Sequence, residues 1–141
     1  IVAAENAVFA LPEPSVGLAA MAGGLLRLPR LIGMKKAMGM ILTARRVSAK
    51  EGFELGFVNE VAPAGGALEA AKTIARHICT LSPMSIRASK QVAMRGAEMP
   101  LAQALSEQET WSAVKAMFAS ADVVEGPKAF AEKRKPNWTG R

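Results

Sequence analysis

The chain has 141 residues, half of them hydrophobic, with five Phe, two Trp and no Tyr, enough for one domain core of a composition that favours helices over a β-sandwich. The 18 basic and 12 acidic side chains leave a net charge of +6, which suits nucleic acid, an anionic membrane or a phosphorylated small molecule. The single cysteine, Cys79, excludes an internal disulfide and favours a reducing compartment, so we expect a cytoplasmic protein. No apolar run suits a membrane span, and no export leader is visible.

Two strands and several helices are predicted along the chain. The apolar run 8–11 is closed by two prolines, which favours a buried strand, and residues 57–61 alternate apolar and polar side chains. Helices are predicted over 25–33, 34–42 and 49–55. From residue 67 to the end the pattern predicts three or four helical segments, among them a long one over 101–119 and a last helix capped by Asp122. Pro29 is expected to break or kink the first helix. Ser48 and Glu51 match a capping box, and Gly56 matches a C-cap.

Two strands are too few for an independent sheet, so the other strands are expected outside these residues or in a partner chain. The chain also begins at Ile1 and runs at once into an apolar stretch. Both features predict that the 141 residues form part of a larger fold.

Four colinear motifs resemble the crotonase (enoyl-CoA hydratase/isomerase) superfamily. They are Phe9-Ala-Leu-Pro-Glu13-Pro-Ser-Val-Gly17-Leu with Ala22-Gly-Gly24-Leu-Leu-Arg27-Leu-Pro, Leu42-Thr-Ala-Arg-Arg-Val-Ser48-Ala, Glu54-Leu-Gly56-Phe-Val-Asn59-Glu-Val, and Glu125-Gly-Pro-Lys-Ala-Phe130-Ala-Glu-Lys133-Arg-Lys-Pro. The resemblance covers essentially the whole chain and implies an α/β crotonase (ClpP-like) fold, here mostly helical with two short strands. It implies the carboxy-terminal part of such a protein, with the oxyanion-hole segment and an earlier catalytic glutamate before Ile1.

The same resemblance implies a hydratase-type lyase that adds or removes water at the double bond of a 2-enoyl-CoA thioester, with this chain inactive alone. Alternatives are an isomerase that moves the double bond and a carnitinyl-CoA dehydratase, to which the last motif is also similar. The alternative from another class of function is a non-catalytic module that mediates oligomerisation. No metal and no separate cofactor are expected, since CoA is part of the substrate.

Glu13 is the expected catalytic acid/base. A carboxyl between Pro12 and Pro14 at the end of a buried strand is held rigidly, which suits proton transfer. The alternative without a function is a solvated glutamate in a loop. The resemblance aligns Glu13 with the later hydratase glutamate and implies that it holds the water and exchanges a proton at the α-carbon. Met21 stands where hydratases usually have glycine and dienoyl-CoA isomerases have aspartate. Met21 is therefore expected to line and narrow the substrate pocket, or else to fill a gap in the core.

Gly23 and Gly24 are expected to bind substrate, because a glycine pair at a helix start lets a ligand or another backbone approach closely. The resemblance implies that Phe130 and Lys133 contact the CoA nucleotide, and their spacing predicts that they share one face of the last helix. A core Phe beside a surface Lys is the ordinary alternative. His77 has no partner in ligand spacing and is expected to be structural.

A basic segment contains seven cationic residues and no acidic one, namely Arg27, Arg30, Lys35, Lys36, Arg45, Arg46 and Lys50. It contains no aromatic residue, which argues against nucleic acid, and a solvated helix face accounts for most of its charges. One or two of these side chains are expected to face CoA phosphates or a neighbouring subunit.

The expected partners are an acyl-CoA thioester and further copies of the chain, in a trimer or a dimer of trimers, with no nucleic acid and no membrane. An apolar stripe is the expected oligomer surface, with an intramolecular core as the alternative; it comprises Leu101, Leu105, Trp111, Val114, Met117 and Phe118. Residues 1–65 are expected to form the end of a spiral core, and residues 66–141 a helical region for oligomerisation and CoA contact.

Overall fold

The computed structural model describes all residues, Ile1–Arg141. The strands are β1 (Val2–Ala4), β2 (Val8–Phe9), β3 (Val47–Ser48) and β4 (Glu60–Ala62). The helices are α1 (Gly24–Ile32), α2 (Met34–Thr43), α3 (Ala49–Leu55), α4 (Ala67–Ile78), α5 (Pro83–Gly96), α6 (Leu101–Glu107), α7 (Ser112–Phe118) and α8 (Asp122–Ala131). Two 3₁₀ turns cover Glu13–Val16 and Gln108–Thr110.

The chain divides into two compact units, Ile1–Thr73 and Ile74–Arg141. This division falls inside α4, whereas the expected boundary between residues 65 and 66 lies in the glycine turn that precedes that helix. The first unit carries all four strands, and the second is helical.

The strands of the first unit pair in two separate ladders. β1 runs parallel to β4, with Ala3 opposite Val61, and β2 runs antiparallel to β3, with Phe9 opposite Val47. The prediction of two strands is therefore wrong, because the structure also contains β1 and β3. Each has only two or three residues, which is too short to show the period of two that identifies a strand in a sequence.

The two predicted strands also have different bounds in the structure. β2 ends at Phe9, before the proline-flanked segment begins. β4 starts only at Glu60, because the N–H groups of Phe57 and Val58 both donate to Gly52 O at 3.1 Å in the turn that ends α3. A helix C-terminus therefore uses the backbone donors that the alternating pattern assigned to a strand.

The local helix signals of the first unit are confirmed for α3. The Ser48 Oγ accepts a hydrogen bond from Glu51 N at 3.1 Å, and Gly56 ends the helix with φ 92°. The Glu51 carboxylate itself pairs with Arg45 at 2.6 Å, so it does not close the second half of the capping box. Pro29 does not break α1, which continues to Ile32.

The helix predicted over 101–119 is wrong as a single element. It is interrupted by the 3₁₀ turn Gln108–Thr110 and by Trp111, which is extended at φ −74° and ψ 144°. This interruption buries the Trp111 ring to 3% exposure against Ala88 and Val114. The Gln91 Oε1 then accepts the Ala113 N–H at 2.9 Å, satisfying a donor in the first turn of α7.

Asp122 is not a helix cap, contrary to the sequence prediction. It lies inside the first turn of α8 and is 4% exposed. Its carboxylate accepts hydrogen bonds from Ser82 Oγ (2.8 Å), Thr139 N (2.8 Å) and Gly140 N (3.2 Å). These donors come from the start of α5 and from the segment 132–141 after α8, which we call the strap. Asp122 therefore holds the strap against the rest of the second unit.

Candidate active site

The backbone at Glu13 is fixed by local hydrogen bonds and by proline. Glu13 opens the 3₁₀ turn after β2, between Pro12, whose φ is −81°, and Pro14. The Leu18 N–H donates to Glu13 O at 3.0 Å, and Gly17 ends the turn with a left-handed φ of 73°. The proline-flanked turn thus holds the Glu13 backbone at a defined place.

The Glu13 carboxyl is half-buried, and its Oε2 atom is buried without any hydrogen-bond partner. Folding is destabilised by a buried acceptor that has no donor, so native structures rarely keep one without a reason. A water or a substrate proton that reached this atom would complete its hydrogen bonding. The Glu13 Oε2 is therefore not a solvated oxygen, and the catalytic role of Glu13 stays a prediction.

Two apolar cavities are lined by residues that lie near Glu13 in the sequence. The first, which we call the β2–α1 cavity, has a volume of about 210 Å³ and is lined by Phe9, Leu11, Leu28, Leu31, Phe57 and Arg27, among others. The second has about 240 Å³ and is lined by aliphatic side chains that include Leu11, Pro14 and Leu18. Arg27 is the only charged residue that lines either of them.

Sequence reasoning did not identify the cavity residues as functional. Leu28 and Leu31 were predicted only to lie in the helix over 25–33, and Arg27 was interpreted only as one member of the basic segment. The spacing of three residues along α1 places Leu28 and Leu31 on one side of the helix, where both line the β2–α1 cavity together with Arg27.

The Gly23–Gly24 pair makes room for side chains of this chain. A Cβ atom at Gly23 would lie 3.1 Å from the Arg27 Cζ, and one at Gly24 would lie 2.9 Å from the Leu11 Cδ2. Gly23 also has φ 101°, which other residues rarely adopt. Gly24 lines the β2–α1 cavity, so the pair positions both the guanidinium and the cavity wall. Contact of the pair with substrate stays a prediction.

Met21 is 81% exposed, so the interpretation of Met21 as a core residue is wrong. It is also not among the residues that line the two cavities. Its expected contact with substrate stays a prediction.

Phe130 and Lys133 do not share a helical face, contrary to the sequence prediction. α8 ends at Ala131, and Lys133 lies beyond it with a left-handed φ of 54°. The Lys133 N–H donates to Phe130 O at 3.2 Å and the Arg134 N–H to Ala129 O at 3.0 Å, which is the bond pattern of a Schellman motif. Both side chains remain exposed, and Phe130 has 87% of its surface in solvent. The interpretation of Phe130 as a core residue is therefore wrong.

Other residues of the same motif have structural partners. The Glu125 carboxylate accepts from Arg134 Nη1 (2.6 Å), Arg134 Nη2 (2.9 Å) and Asn137 N (2.7 Å). The hydrogen bonds from Arg134, followed by that from Asn137, lower the pKa of Glu125 to about 2. A Cβ at Gly126 would lie 3.3 Å from the Trp138 ring, whose Nε1 donates to Thr80 O at 3.0 Å. Glu125, Gly126 and Arg134 therefore hold the strap.

The basic segment lies mostly at the surface, as expected for a solvated face. Arg30, Lys35, Lys36, Arg46 and Lys50 are exposed, and Arg45 is partly buried in its ion pair with Glu51. The Arg30 Nη1 donates to Leu26 O at 2.7 Å. Arg27 is exposed as well, and like Lys35 and Lys36 it has neither a carboxylate partner nor a hydrogen bond from its side chain.

His77 has no metal-like surroundings, since no group of three or more His, Cys, Asp or Glu side chains could hold an ion. The free Cys79 is exposed. None of the helices is both long and apolar enough to cross a membrane.

Comparison with known proteins identifies the fold to which the chain is similar. The fold matches an enoyl-CoA hydratase from Mycobacterium tuberculosis H37Rv with a TM-score of 0.92 and 39% identity over 100% of this chain and 55% of that one. It matches an enoyl-CoA hydratase from Bacillus anthracis with a TM-score of 0.91 and 36% identity over 99% of this chain and 54% of that one. The chain thus matches part of the crotonase fold that its motifs predicted.

The sequence profile of the family Enoyl-CoA hydratase/isomerase matches residues 1–141, and the chain belongs to this family. It is 38% identical to the carnitinyl-CoA dehydratase of Salmonella typhi over 100% of this chain and 55% of that protein. The chain therefore spans about half the length of its relatives. These comparisons do not support the prediction that it corresponds to the carboxy-terminal part, and that assignment is withdrawn.

Proposed function

We propose that this chain supplies the proton-transfer residue of an enoyl-CoA hydratase-type lyase, which adds or removes water at the double bond of a 2-enoyl-CoA thioester. The observation that carries the proposal is the Glu13 carboxyl, whose backbone is fixed while its Oε2 is buried without a partner. In the hydration direction, Glu13 would hold the attacking water and exchange a proton with the substrate α-carbon. Family membership and the hydratase structures at 36% and 39% identity support this reaction class.

The CoA part of the substrate is assigned to Phe130 and Lys133. Both side chains are exposed, although their neighbours in the motif are engaged in holding the strap. Lys133 keeps a left-handed backbone, which costs about 1 kcal/mol relative to glycine. A lysine ammonium can meet a CoA phosphate as a point charge.

The activity test uses two proteins because the chain spans 55% of the M. tuberculosis hydratase. One is the 141-residue chain, and the other is a chimaera in which the chain replaces the matching part of that enzyme. We expect crotonyl-CoA hydration, followed as loss of enoyl absorbance, in the chimaera and none in the chain alone. Conversion of a 3-enoyl-CoA to the 2-enoyl isomer without hydration would instead favour the isomerase alternative. Dehydration of carnitinyl-CoA without hydration of crotonyl-CoA would favour the dehydratase alternative.

Self-association is a second candidate function, and it is favoured by exposed apolar side chains in the helical unit. Leu101, Leu105 and Phe118 are 75%, 57% and 58% exposed, whereas Trp111 and Val114 of the same predicted stripe are buried. The stripe is therefore partly intramolecular core and partly surface. We propose a homo-oligomer, a trimer or dimer of trimers, in the cytoplasm.

Sedimentation velocity of the 141-residue chain tests this second proposal. We expect a species larger than a monomer, which Leu105→Glu shifts toward monomer because it places a charge on the apolar surface. Met94→Glu is a matched control on another exposed apolar residue of the same unit, 64% exposed on α5. A monomeric wild-type chain contradicts the proposal.

A further inference from the structure

The β2–α1 cavity combines an apolar interior with a single cationic side chain, since the terminal ammonium of Ile1, which also lines it, donates to Asn59 Oδ1 at 2.6 Å. Phe9, Leu11, Leu28, Leu31 and Phe57 supply hydrocarbon surface, and no acidic residue is among those that line the cavity. Transfer of an aliphatic chain from water into such a space lowers its free energy. Transfer of a cation or an unpaired polar group raises it.

The guanidinium of Arg27 lies at the Gly23–Gly24 end of this cavity. Its Cζ occupies the space that a side chain at position 23 would need, and Gly24 lines the cavity next to it. No carboxylate pairs with Arg27, and no hydrogen-bond acceptor of the chain satisfies its guanidinium. A planar guanidinium without a partner matches a carboxylate in charge and geometry.

We propose that the β2–α1 cavity binds a short aliphatic chain that ends in a carboxylate, with the carboxylate on Arg27 and the chain among the apolar side chains. The volume of about 210 Å³ lies below the range of roughly 300–1,000 Å³ typical of drug-sized ligands, so the chain is short. This chemistry belongs to a free short-chain carboxylate or to the far end of an acyl thioester that carries a second, terminal carboxylate. Binding does not require turnover, so the proposal is independent of the proposed reaction.

Binding to the 141-residue chain is measured by isothermal titration calorimetry with hexanoate, butanoate and the neutral analogue hexanamide. We expect hexanoate to bind about fivefold more tightly than hexanamide, since the exposed guanidinium is partly screened by solvent. Hexanoate should bind about tenfold more tightly than butanoate, since two further methylene groups are buried. Equal affinity for hexanoate and hexanamide overturns the proposal.

Two variants test whether the preference for hexanoate depends on Arg27 itself or on positive charge at the surface of the same helix. Arg27→Gln should remove the preference for hexanoate over hexanamide, whereas Arg30→Gln, on the same helix, should keep it because Arg30 is held by Leu26 O. Loss of the preference in both variants, or in neither, contradicts a specific role of Arg27. The wild-type comparison of hexanoate with hexanamide stands even where a variant fails to fold.

A further titration distinguishes the two sources of the carboxylate. The N-acetylcysteamine monothioester of adipate carries a free carboxylate at its far end, and its methyl ester does not. Tighter binding of the monothioester than of hexanoate assigns the cavity to a substrate acyl group, and the reverse assigns it to a free carboxylate. Failure of both anions to bind better than their neutral analogues overturns the proposal.

Discussion

Glu13 in the first unit and Asp122 and Glu125 in the second have opposite surroundings. In the first unit, the Glu13 Oε2 is buried without a donor. In the second, Asp122 receives hydrogen bonds from Ser82, Thr139 and Gly140, and Glu125 receives them from Arg134 and Asn137. A carboxylate with all its acceptors engaged stabilises the fold, whereas one with a free buried acceptor can serve a ligand. The two units therefore respond differently to the same type of substitution.

The largest effect on stability is expected at Asp122. Asp122→Ala leaves Ser82 Oγ and the Thr139 and Gly140 N–H groups without their acceptor, so the strap should detach and Tm should fall by several degrees. Differential scanning calorimetry measures this change. Glu54→Ala, at an exposed glutamate of the first unit, is the control and should leave Tm nearly unchanged. A Tm equal to that of wild type would show that the strap contributes nothing to stability.

Acid should weaken the second unit through the same carboxylates. Burial acts to raise the pKa of Asp122, but the hydrogen bonds from Thr139, Ser82 and Gly140 together outweigh it, and the pKa is lowered. For Glu125 the pKa falls from 4.5 to about 2. A lowered folded-state pKa stabilises the fold above the unfolded-state value, and this contribution is lost as pH falls toward the folded-state value.

The expected result is a loss of stability between about pH 4.5 and pH 2, measured by urea unfolding at several pH values. Glu125→Gln should be less stable than wild type at pH 6, and its stability should depend less on pH across this window. A wild-type profile with the same slope as Glu125→Gln would contradict the assignment.

A smaller effect of opposite sign is expected at Lys133. Glycine adopts a left-handed backbone without strain, so Lys133→Gly should raise the free energy of unfolding by about 0.5–1 kcal/mol. The same change should weaken CoA binding several-fold, because it removes the ammonium group. Ala44→Gly, at φ 49° in the first unit, is the matched control and should change stability without changing CoA affinity. Unchanged CoA binding in Lys133→Gly would remove Lys133 from the proposed CoA site.

Local signals in the sequence predicted local structure well. The Ser48 cap and the Gly56 C-cap were found because their partners lie within a few residues. Asp122 was misread as a cap because its donors are 17, 18 and 40 residues away. The break at Trp111 was missed because it depends on burial of the ring against α5, which the helical period does not show.

The candidate site was predictable to a similar extent. Glu13 was found from its prolines and its family motif, and the structure adds the unpaired Oε2. Arg27 was not singled out, because its proposed role depends on the space left by Gly23 and on a cavity formed with β2. Such a site is formed by residues from several elements and leaves no short motif.

The most direct test of the account compares Glu13→Gln with Asp122→Asn in the chimaera, with kcat/KM for crotonyl-CoA and Tm measured on each protein. We predict that Glu13→Gln lowers kcat/KM by about 10² to 10⁴ and leaves Tm unchanged, since general acid–base catalysis contributes that much. Asp122→Asn should lower Tm and change kcat/KM far less. A Glu13→Gln chimaera that hydrates crotonyl-CoA at the wild-type rate would contradict the central claim that Glu13 transfers the proton.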